Sequence, residues 1–123
     1  MNIKKFTLHE GLEIWVGMDD RSNDRLSLKE AHPNDWWFHV NGFPGSHVLL
    51  RCGALGIEPD KDSIRKAAEL AAYFSKMRNA GMVSVHYCRA KDVHKPRGAK
   101  AGTVTIKNTH KIKVKPQLLE NND

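Results

Sequence analysis

Pro33-Asn34-Asp35-Trp36-Trp37-Phe38-His39-Val40-Asn41-Gly42-Phe43-Pro44-Gly45-Ser46-His47-Val48-Leu49-Leu50-Arg51 is the stretch around which this sequence is organised. Two runs rich in aromatic and β-branched residues flank a Pro-Gly dipeptide, which is the pattern of a β-hairpin. One register separates polar from apolar pairs, and it sets Phe38 against Val48, Trp37 against Leu49, Trp36 against Leu50, His39 against His47 and Asp35 against Arg51. A slip of one residue would mix the two kinds of side chain across the ladder. The stretch therefore predicts a hairpin with this register, in which an ion pair between Asp35 and Arg51 joins the two strands at the end away from the loop.

Length and composition predict one compact domain. The chain has 123 residues, of which 40% are hydrophobic, enough for one core and hardly for two. We expect a single domain over residues 1–123 with its core in about 11–119. The sequence has no apolar run of the roughly 18 residues that span a bilayer and no signal-peptide pattern. Cys52 and Cys88 match no zinc or redox spacing. These features predict a cytoplasmic protein with two reduced, buried thiols, without membrane, metal or cofactor.

The positive charge is concentrated in one quarter of the chain. Residues 1–88 carry 11 basic and 11 acidic residues, whereas residues 89–115 carry nine basic residues against Asp92 alone, a net of +8. A neutral body with one basic segment is typical of a protein that binds a polyanion. The alternative is a solvated basic face that only aids solubility.

Local patterns predict a small α/β (α+β) domain. We expect strands at residues 4–8, 13–16 and 82–88, a polar loop at 18–23, and a short helix from Asn23 or Asp24 to Ala31. Apolar residues at helical spacing predict one long Ala-rich helix over 63–79, capped by Asp60 or Asp62 and stopped by Gly81. Residues 103–107 and 111–115 form a second predicted hairpin that pairs Ile106 with Ile112 and Val104 with Val114. The predicted fold is a mostly antiparallel or mixed sheet of short strands and hairpins packed against the long helix.

Three blocks of the sequence, taken together, resemble one known family. They are residues 34–51, the helical segment 67–76, and the basic loop Lys91-Asp92-Val93-His94-Lys95-Pro96-Arg97-Gly98-Ala99-Lys100-Ala101-Gly102. In this order, and over roughly residues 11–119, they are similar to the NFACT-R domain. The sequence departs from the family pattern at His86, where an acidic residue is common, and at Ala101, where proline is common.

The resemblance implies an α/β domain that binds RNA without catalysis. It implies a stand-alone bacterial-type relative of the C-terminal domain of NFACT proteins, which act in ribosome-associated quality control on stalled large subunits and tRNA. The expected partners are therefore tRNA or ribosomal RNA and the large ribosomal subunit. The larger proteins carry further domains that this sequence does not show, so the addition of tails to nascent chains is not carried over.

Two sets of residues are the candidates for RNA contact. Phosphates require positive charge, and the candidates are Lys91, Lys95, Arg97, Lys100, Lys107, Lys111 and Lys113. Unpaired bases require stacking and hydrogen-bonding groups, and the candidates are Trp37, His39, His47 and Arg51. Each has a structural alternative. Trp37 fits a second core layer beneath the long helix equally well, and the two histidines could be a packing pair at a loop.

Two other functions fit parts of the same pattern. His39 and His47 could act as acid and base on a phosphodiester, and with a carboxylate they could hold zinc. The predicted Asp35–Arg51 pair would compete with a metal, and no nucleophile motif, phosphate-binding loop or paired carboxylates accompany the histidines. A protein-interaction module that uses its basic face on an acidic partner is the other alternative.

Overall fold

The structure is a computed structural model that describes residues 1–119. A six-stranded antiparallel sheet has the order β1-β2-β4-β3-β5-β8, and a separate antiparallel pair is formed by β6 and β7. The strands are β1 Ile3–Thr7, β2 Glu13–Gly17, β3 Trp36–Val40, β4 Val48–Leu50, β5 Val83–Arg89, β6 Val93–His94, β7 Thr105–Ile106 and β8 His110–Val114. The helices are α1 Asp20–Arg25, continued by a π-helical turn at Leu26–Glu30, and α2 Lys61–Tyr73, and a 3-10 turn occupies Ala90–Asp92. The predicted α/β class and the mostly antiparallel sheet are confirmed.

The central hairpin has the predicted register. Trp36 pairs with Leu50, Trp37 with Leu49 and Phe38 with Val48. The ion pair at its open end is also confirmed, because Arg51 Nε lies 2.8 Å from Asp35 Oδ2. Alternation along these strands divides the sheet into a helix face, which carries α2, and a loop face, which is covered by α1, the π-helical turn and the β6–β7 pair.

Helix α2 packs closely on the helix face. Its four alanines, Ala67, Ala68, Ala71 and Ala72, are fully buried against a cluster that includes Phe38, Val48 and Val85. Small side chains let the helix axis approach the sheet, as the sequence predicted. The N-cap is Asp60, whose side chain accepts the N–H of Ser63 at 2.8 Å.

The prediction of a single long helix over residues 63–79 is wrong, because α2 ends at Tyr73. The backbone beyond Tyr73 bonds to the loop of the central hairpin instead. Ser46 N donates to Phe74 O at 2.9 Å and Lys76 N donates to Pro44 O at 3.0 Å. A Cβ on Gly45 would lie only 2.7 Å from Ser75 Cβ, so glycine permits this close approach. These tertiary bonds replace the helical bonds that the periodicity predicted. In the described part of the chain, the fold has two short helices.

The loop face has its own apolar layer. Leu26, Trp37, Leu49, Cys88 and Val93 are its buried members. Helix α1 begins earlier than predicted, since Asp19 caps it by accepting the N–H of Ser22 at 2.8 Å. The predicted loop at 18–23 and the caps at Asn23 or Asp24 are therefore wrong. The tertiary role of α1 and the π-helical turn is to cover the loop face.

The predicted second hairpin is also wrong. Ile106 pairs with Val93 across β6 and β7, whereas Ile112 pairs with Val85 across β8 and β5. The two strands belong to different sheets because their apolar residues bury on opposite faces. Val104 and Ile106 pack on the loop-face cluster, and Ile112 and Val114 pack on the helix-face cluster.

Both cysteines are free thiols in the core, as predicted. Burial raises the pKa of the Cys88 thiol to about 12, so this thiol stays protonated at neutral pH. Across residues 1–119, none of the helices has the length and apolar character that crossing a bilayer demands.

Candidate nucleic-acid interface

The part of the basic loop that follows β6, from Lys95 to Gly102, lies over the loop face and is tethered by Asp24. One carboxylate oxygen of Asp24 accepts the N–H of Gly102 at 2.9 Å, and the other lies 3.1 Å from Lys95 Nζ. Lys95 also donates to the carbonyl of Lys100 at 2.6 Å. Gly102 has φ +84°, and a Cβ there would lie 2.9 Å from Asp20 Oδ1, so the position requires glycine. Lys95, a predicted phosphate contact, is thus engaged in holding the loop.

A cleft of about 540 Å³ opens between this loop and the sheet. His39 from β3 lies at its base, and Lys100 of the basic loop and Thr103 just beyond it line one wall. Asp20 and Asn23 of α1 line another part. The structure therefore brings two predicted site residues, His39 and Lys100, to one concave surface.

A row of basic side chains continues from His39 toward the edge of the sheet. His39 pairs with His86 across β3 and β5, and His86 pairs with Lys111 across β5 and β8. Lys113 follows on the same face of β8, opposite Ser84. Burial, and then the charge of Lys111, lower the pKa of His86. His86 Nε2 is buried and finds no hydrogen-bond partner among the described residues, which is uncommon for a buried polar atom.

Two other predicted base contacts, Trp37 on β3 and His47 just before β4, are core residues. Trp37 and His47 are each 2% exposed. Trp37 Nε1 donates to Ser27 Oγ at 2.8 Å, and Ser27 Oγ lies 2.7 Å from His47 Nδ1. Because the Ser27 hydroxyl oxygen accepts the hydrogen bond from Trp37, the hydroxyl can donate its own proton to Nδ1 of a neutral His47 ring. Trp37 packs beneath the π-helical turn and the β6–β7 pair and not beneath α2. The alternative that placed it under the long helix therefore assigned it to the wrong face of the sheet.

We expect His47 to make the fold sensitive to acid. Burial, and then the charge of His39, lower the pKa of His47 from 6.5 to about 4. Between these values the unfolded chain binds a proton that the folded ring does not, so stability is complete above pH 6.5 and falls as the pH drops toward 4. The loss amounts to about 3 kcal/mol of the free energy of unfolding. Burial lowers the pKa of His39 too, which acts in the same direction.

Urea unfolding at a series of pH values, for wild type and for His47→Gln, measures this contribution. The glutamine variant keeps a hydrogen-bonding group but cannot titrate. We expect its stability to depend less on pH in the window between the two pKa values, while the carboxylates titrate alike in both proteins. Identical pH profiles for the two proteins would show that His47 does not carry the acid sensitivity.

Arg51 is held by three contacts on the loop face. Its Nε is close enough to Asp35 for an ion pair, although the N–H is not directed well enough to form a hydrogen bond. Its Nη2 donates to Glu30 O at 3.1 Å, and the guanidinium lies 4.1 Å from the centre of the Trp15 ring. Only a fifth of the side chain is exposed. These contacts give Arg51 a structural part in closing the hairpin.

The predicted phosphate contacts other than Lys95 are exposed. These exposed residues are Lys91, Arg97, Lys100, Lys107, Lys111 and Lys113. None of them forms an ion pair with another described residue. In the neutral body, ion pairs engage Arg25, Arg51, Arg65 and Lys66. In the basic segment, Arg89 pairs with Glu58. Because residues 89–115 carry nine basic residues against Asp92 alone, net positive charge is concentrated along the basic loop, the turn before β8, and β8 itself.

The geometry does not assemble the alternative catalytic site. The rings of His39 and His47 lie 5.5 Å apart, but His47 is buried and bonded to Ser27. A buried imidazole cannot reach a phosphodiester in the cleft. Within residues 1–119 no group of three or more histidine, cysteine or carboxylate side chains is placed to hold a metal ion.

Sequence reasoning missed two features of this surface. Asp24 was interpreted as a helix cap, whereas it tethers the basic loop from 78 residues away in the chain. The predicted second hairpin leaves His110 between its two strands, whereas His110 is the first residue of β8 and packs on Tyr87. No local signal identifies the Asp24 contact. The alternation His110, Ile112, Val114 along β8 could have identified the second feature.

Comparisons with known proteins give a consistent result. A family model described as the NFACT protein RNA binding domain matches residues 3–108. The chain is 42% identical over 106 residues to the Rqc2 homolog RqcH of Bacillus subtilis (strain 168), a match that covers 86% of this chain and 18% of that protein. It is 41% identical over 103 residues to the Rqc2 homolog RqcH of Streptococcus suis (strain 05ZYH33), covering 84% of this chain and 18% of that protein.

A solved structure has the same fold. It is the C-terminal part of the fibronectin/fibrinogen-binding protein from Streptococcus suis, with a TM-score of 0.88 and 36% sequence identity over 95% of this chain and 46% of that chain. The present chain spans less than a fifth of the length of the curated relatives, since each match covers 18% of the relative.

Proposed function

This chain belongs to the family of NFACT RNA-binding domains, and on that premise we propose that it binds structured RNA through the surface formed by the basic loop and β8. The RNA is tRNA or ribosomal RNA, in translation or in ribosome quality control on the large subunit. The family is described as an RNA-binding domain, which agrees with the expectation of a non-catalytic module.

The observation that carries this proposal is the set of exposed lysines in the one segment where basic residues far outnumber acidic ones. Lys100, Lys111 and Lys113 are exposed and, among the described residues, lack acidic partners. Lys100 lies beside the His39 cleft, and the two lysines of β8 continue the row through His86. Exposed lysines displace counterions from a polyanion when they contact its phosphates, which favours binding.

The curated relatives support the cellular context. Both are Rqc2 homologs and match the chain over more than four fifths of its length. The His39 cleft provides hydrogen-bonding groups beside the phosphate-binding lysines, and such a combination suits an RNA with unpaired nucleotides. We therefore place tRNA loops and single-stranded regions of ribosomal RNA ahead of uniform duplex as ligands.

A second candidate is a protein-interaction module that uses the same basic surface on an acidic partner. The observation that favours it is the solved relative, which is described as part of a fibronectin/fibrinogen-binding protein. Salt would weaken either interaction. Binding to immobilised fibrinogen without any binding to tRNA would favour this second function.

Fluorescence anisotropy with labelled tRNA tests the proposal directly. We expect binding at low salt that weakens steeply as salt is added, with a log–log slope of a few units, because several phosphates are neutralised. Unlabelled ribosomal RNA should compete, and an acidic protein of similar net charge should compete far less. Absence of binding to tRNA and to ribosomal RNA at low salt would overturn the proposed function.

A further inference from the structure

A ladder of three rings crosses the helix face of the sheet and ends in solvent. Phe38 on β3 stacks on Tyr87 on β5, with ring centroids 5.4 Å apart and planes 16° apart. Tyr87 in turn packs on His110 on β8, with centroids 5.2 Å apart and planes 30° apart. Exposure rises along the ladder, since Phe38 is fully buried, Tyr87 is half-buried and His110 is exposed.

Neighbouring contacts hold this ladder in place. The Trp36 ring meets Tyr87 and His110 edge-on, with centroids 5.3 Å and 5.8 Å away. The Arg89 guanidinium lies 3.7 Å from the centre of the Trp36 ring, and its Nη2 lies 2.8 Å from each carboxylate oxygen of Glu58. Trp36 Nε1 also donates to Glu58, at 3.2 Å. The exposed ring therefore rests on side chains whose positions are already determined.

The ladder ends where the sheet ends. β8 is the last strand in the sheet order, so within residues 1–119 no strand continues the ladder beyond His110. Lys111 and Lys113 alternate with His110 along β8 and point to the opposite face of the same strand. A flat ring exposed beside two unpaired lysines combines a stacking surface with positive charge, the pairing by which proteins bind unpaired nucleotides.

We propose that His110, backed by Tyr87 and Phe38, is a stacking subsite for one unpaired nucleobase, whose flanking phosphates contact Lys111 and Lys113. This inference rests on the proposed RNA-binding function. It adds an RNA contact on the helix face of the sheet to the contacts proposed on the loop face. The bound strand wraps the edge at β8, with phosphates on the loop-face side and one base on the helix-face side. Because every base has a π-face, the subsite is tolerant of sequence.

Substitution of His110 tests the subsite with two RNA probes that carry equal numbers of phosphates, a single-stranded oligouridine and a blunt duplex. We expect His110→Ala to weaken binding of the single strand by roughly five- to tenfold, the low end for loss of a stacking aromatic residue, and to leave the duplex nearly unchanged. His110→Phe keeps a flat ring and should restore single-strand affinity. His94→Ala removes another exposed histidine of the basic segment and should affect the two probes alike.

The outcomes separate the subsite from the proposed function. Preferential loss for the single strand in His110→Ala, with recovery in His110→Phe, supports the subsite. Unchanged single-strand binding in His110→Ala overturns it while RNA binding stands, and would be expected if the β8 edge took an extended peptide instead. Equal losses of affinity for both probes in His110→Ala also overturn the subsite, because they indicate that His110 contributes no base stacking. If the wild-type protein binds tRNA but not the single strand, the subsite is overturned while the proposed function stands. If it binds neither the two probes nor tRNA and ribosomal RNA, both proposals are overturned.

Discussion

Replacing Lys100, Lys111 and Lys113 together with alanine is expected to weaken tRNA binding by roughly a few hundredfold at moderate salt. Each lysine that neutralises a phosphate releases about one counterion, so three lost contacts compound. The salt slope should become shallower by about three. The fold should survive, because all three side chains are exposed and exposed substitutions change stability little. Lys95 is left in place because it holds the basic loop on Asp24.

A matched control removes the same charge from elsewhere. Lys4 lies on β1, Lys61 on α2 and Lys76 just beyond α2, so none of them belongs to the basic row on the loop face. Alanine at all three positions should change tRNA affinity only by the smaller effect of net charge. Anisotropy titrations at several salt concentrations, with thermal melts of each variant, make the comparison. Equal losses in the two triple variants would mean that net charge, and not this surface, governs RNA binding.

Replacing Asp35 with alanine is expected to cost about 4 kcal/mol of the free energy of unfolding. Asp35 is fully buried and forms the ion pair with Arg51. It also accepts the N–H of Gly53 at 2.8 Å and the N–H of His32 at 3.0 Å. Its removal leaves two backbone donors and a guanidinium without their acceptor at the open end of the hairpin. Breaking a buried pair from one side is among the most destabilising single changes.

Urea unfolding followed by tryptophan fluorescence measures this loss. Asp35→Asn keeps an acceptor but no charge, so we expect a stability between those of wild type and Asp35→Ala. Asp62→Ala is the matched control, because Asp62 forms ion pairs with Arg65 and Lys66 on the exposed side of α2, and such pairs contribute little. If Asp35→Ala is as stable as Asp62→Ala, the buried pair does not hold the hairpin closed.

Part of the candidate site could be predicted from the sequence. The excess of lysine and arginine after residue 88 is a property of composition, and it locates the free cations without any knowledge of the fold. Which of them remain free could not be predicted, because the partner of Lys95 is Asp24, distant in the chain. The same limit applies to His86, whose unpartnered ring atom is evident only once β3, β5 and β8 are side by side.

By itself the sequence determined the features that depend on neighbouring residues. Alternation set the register of the central hairpin and the pairing of Asp35 with Arg51. The spacing of alanines set the face that α2 turns to the sheet. Each of these follows from the period of a strand or a helix, which a short segment imposes on its own side chains.

Only the tertiary structure decided what covers each face and where elements stop. Helix α2 ends at Tyr73 because the following backbone bonds to the Pro44–Gly45 loop. The strands at residues 105–106 and 110–114 separate because their apolar side chains bury on opposite faces of the sheet. Trp37 is a core residue because the π-helical turn and the β6–β7 pair lie over it. A local period says that a side chain points to one side, but burial there depends on which distant segment packs on that side.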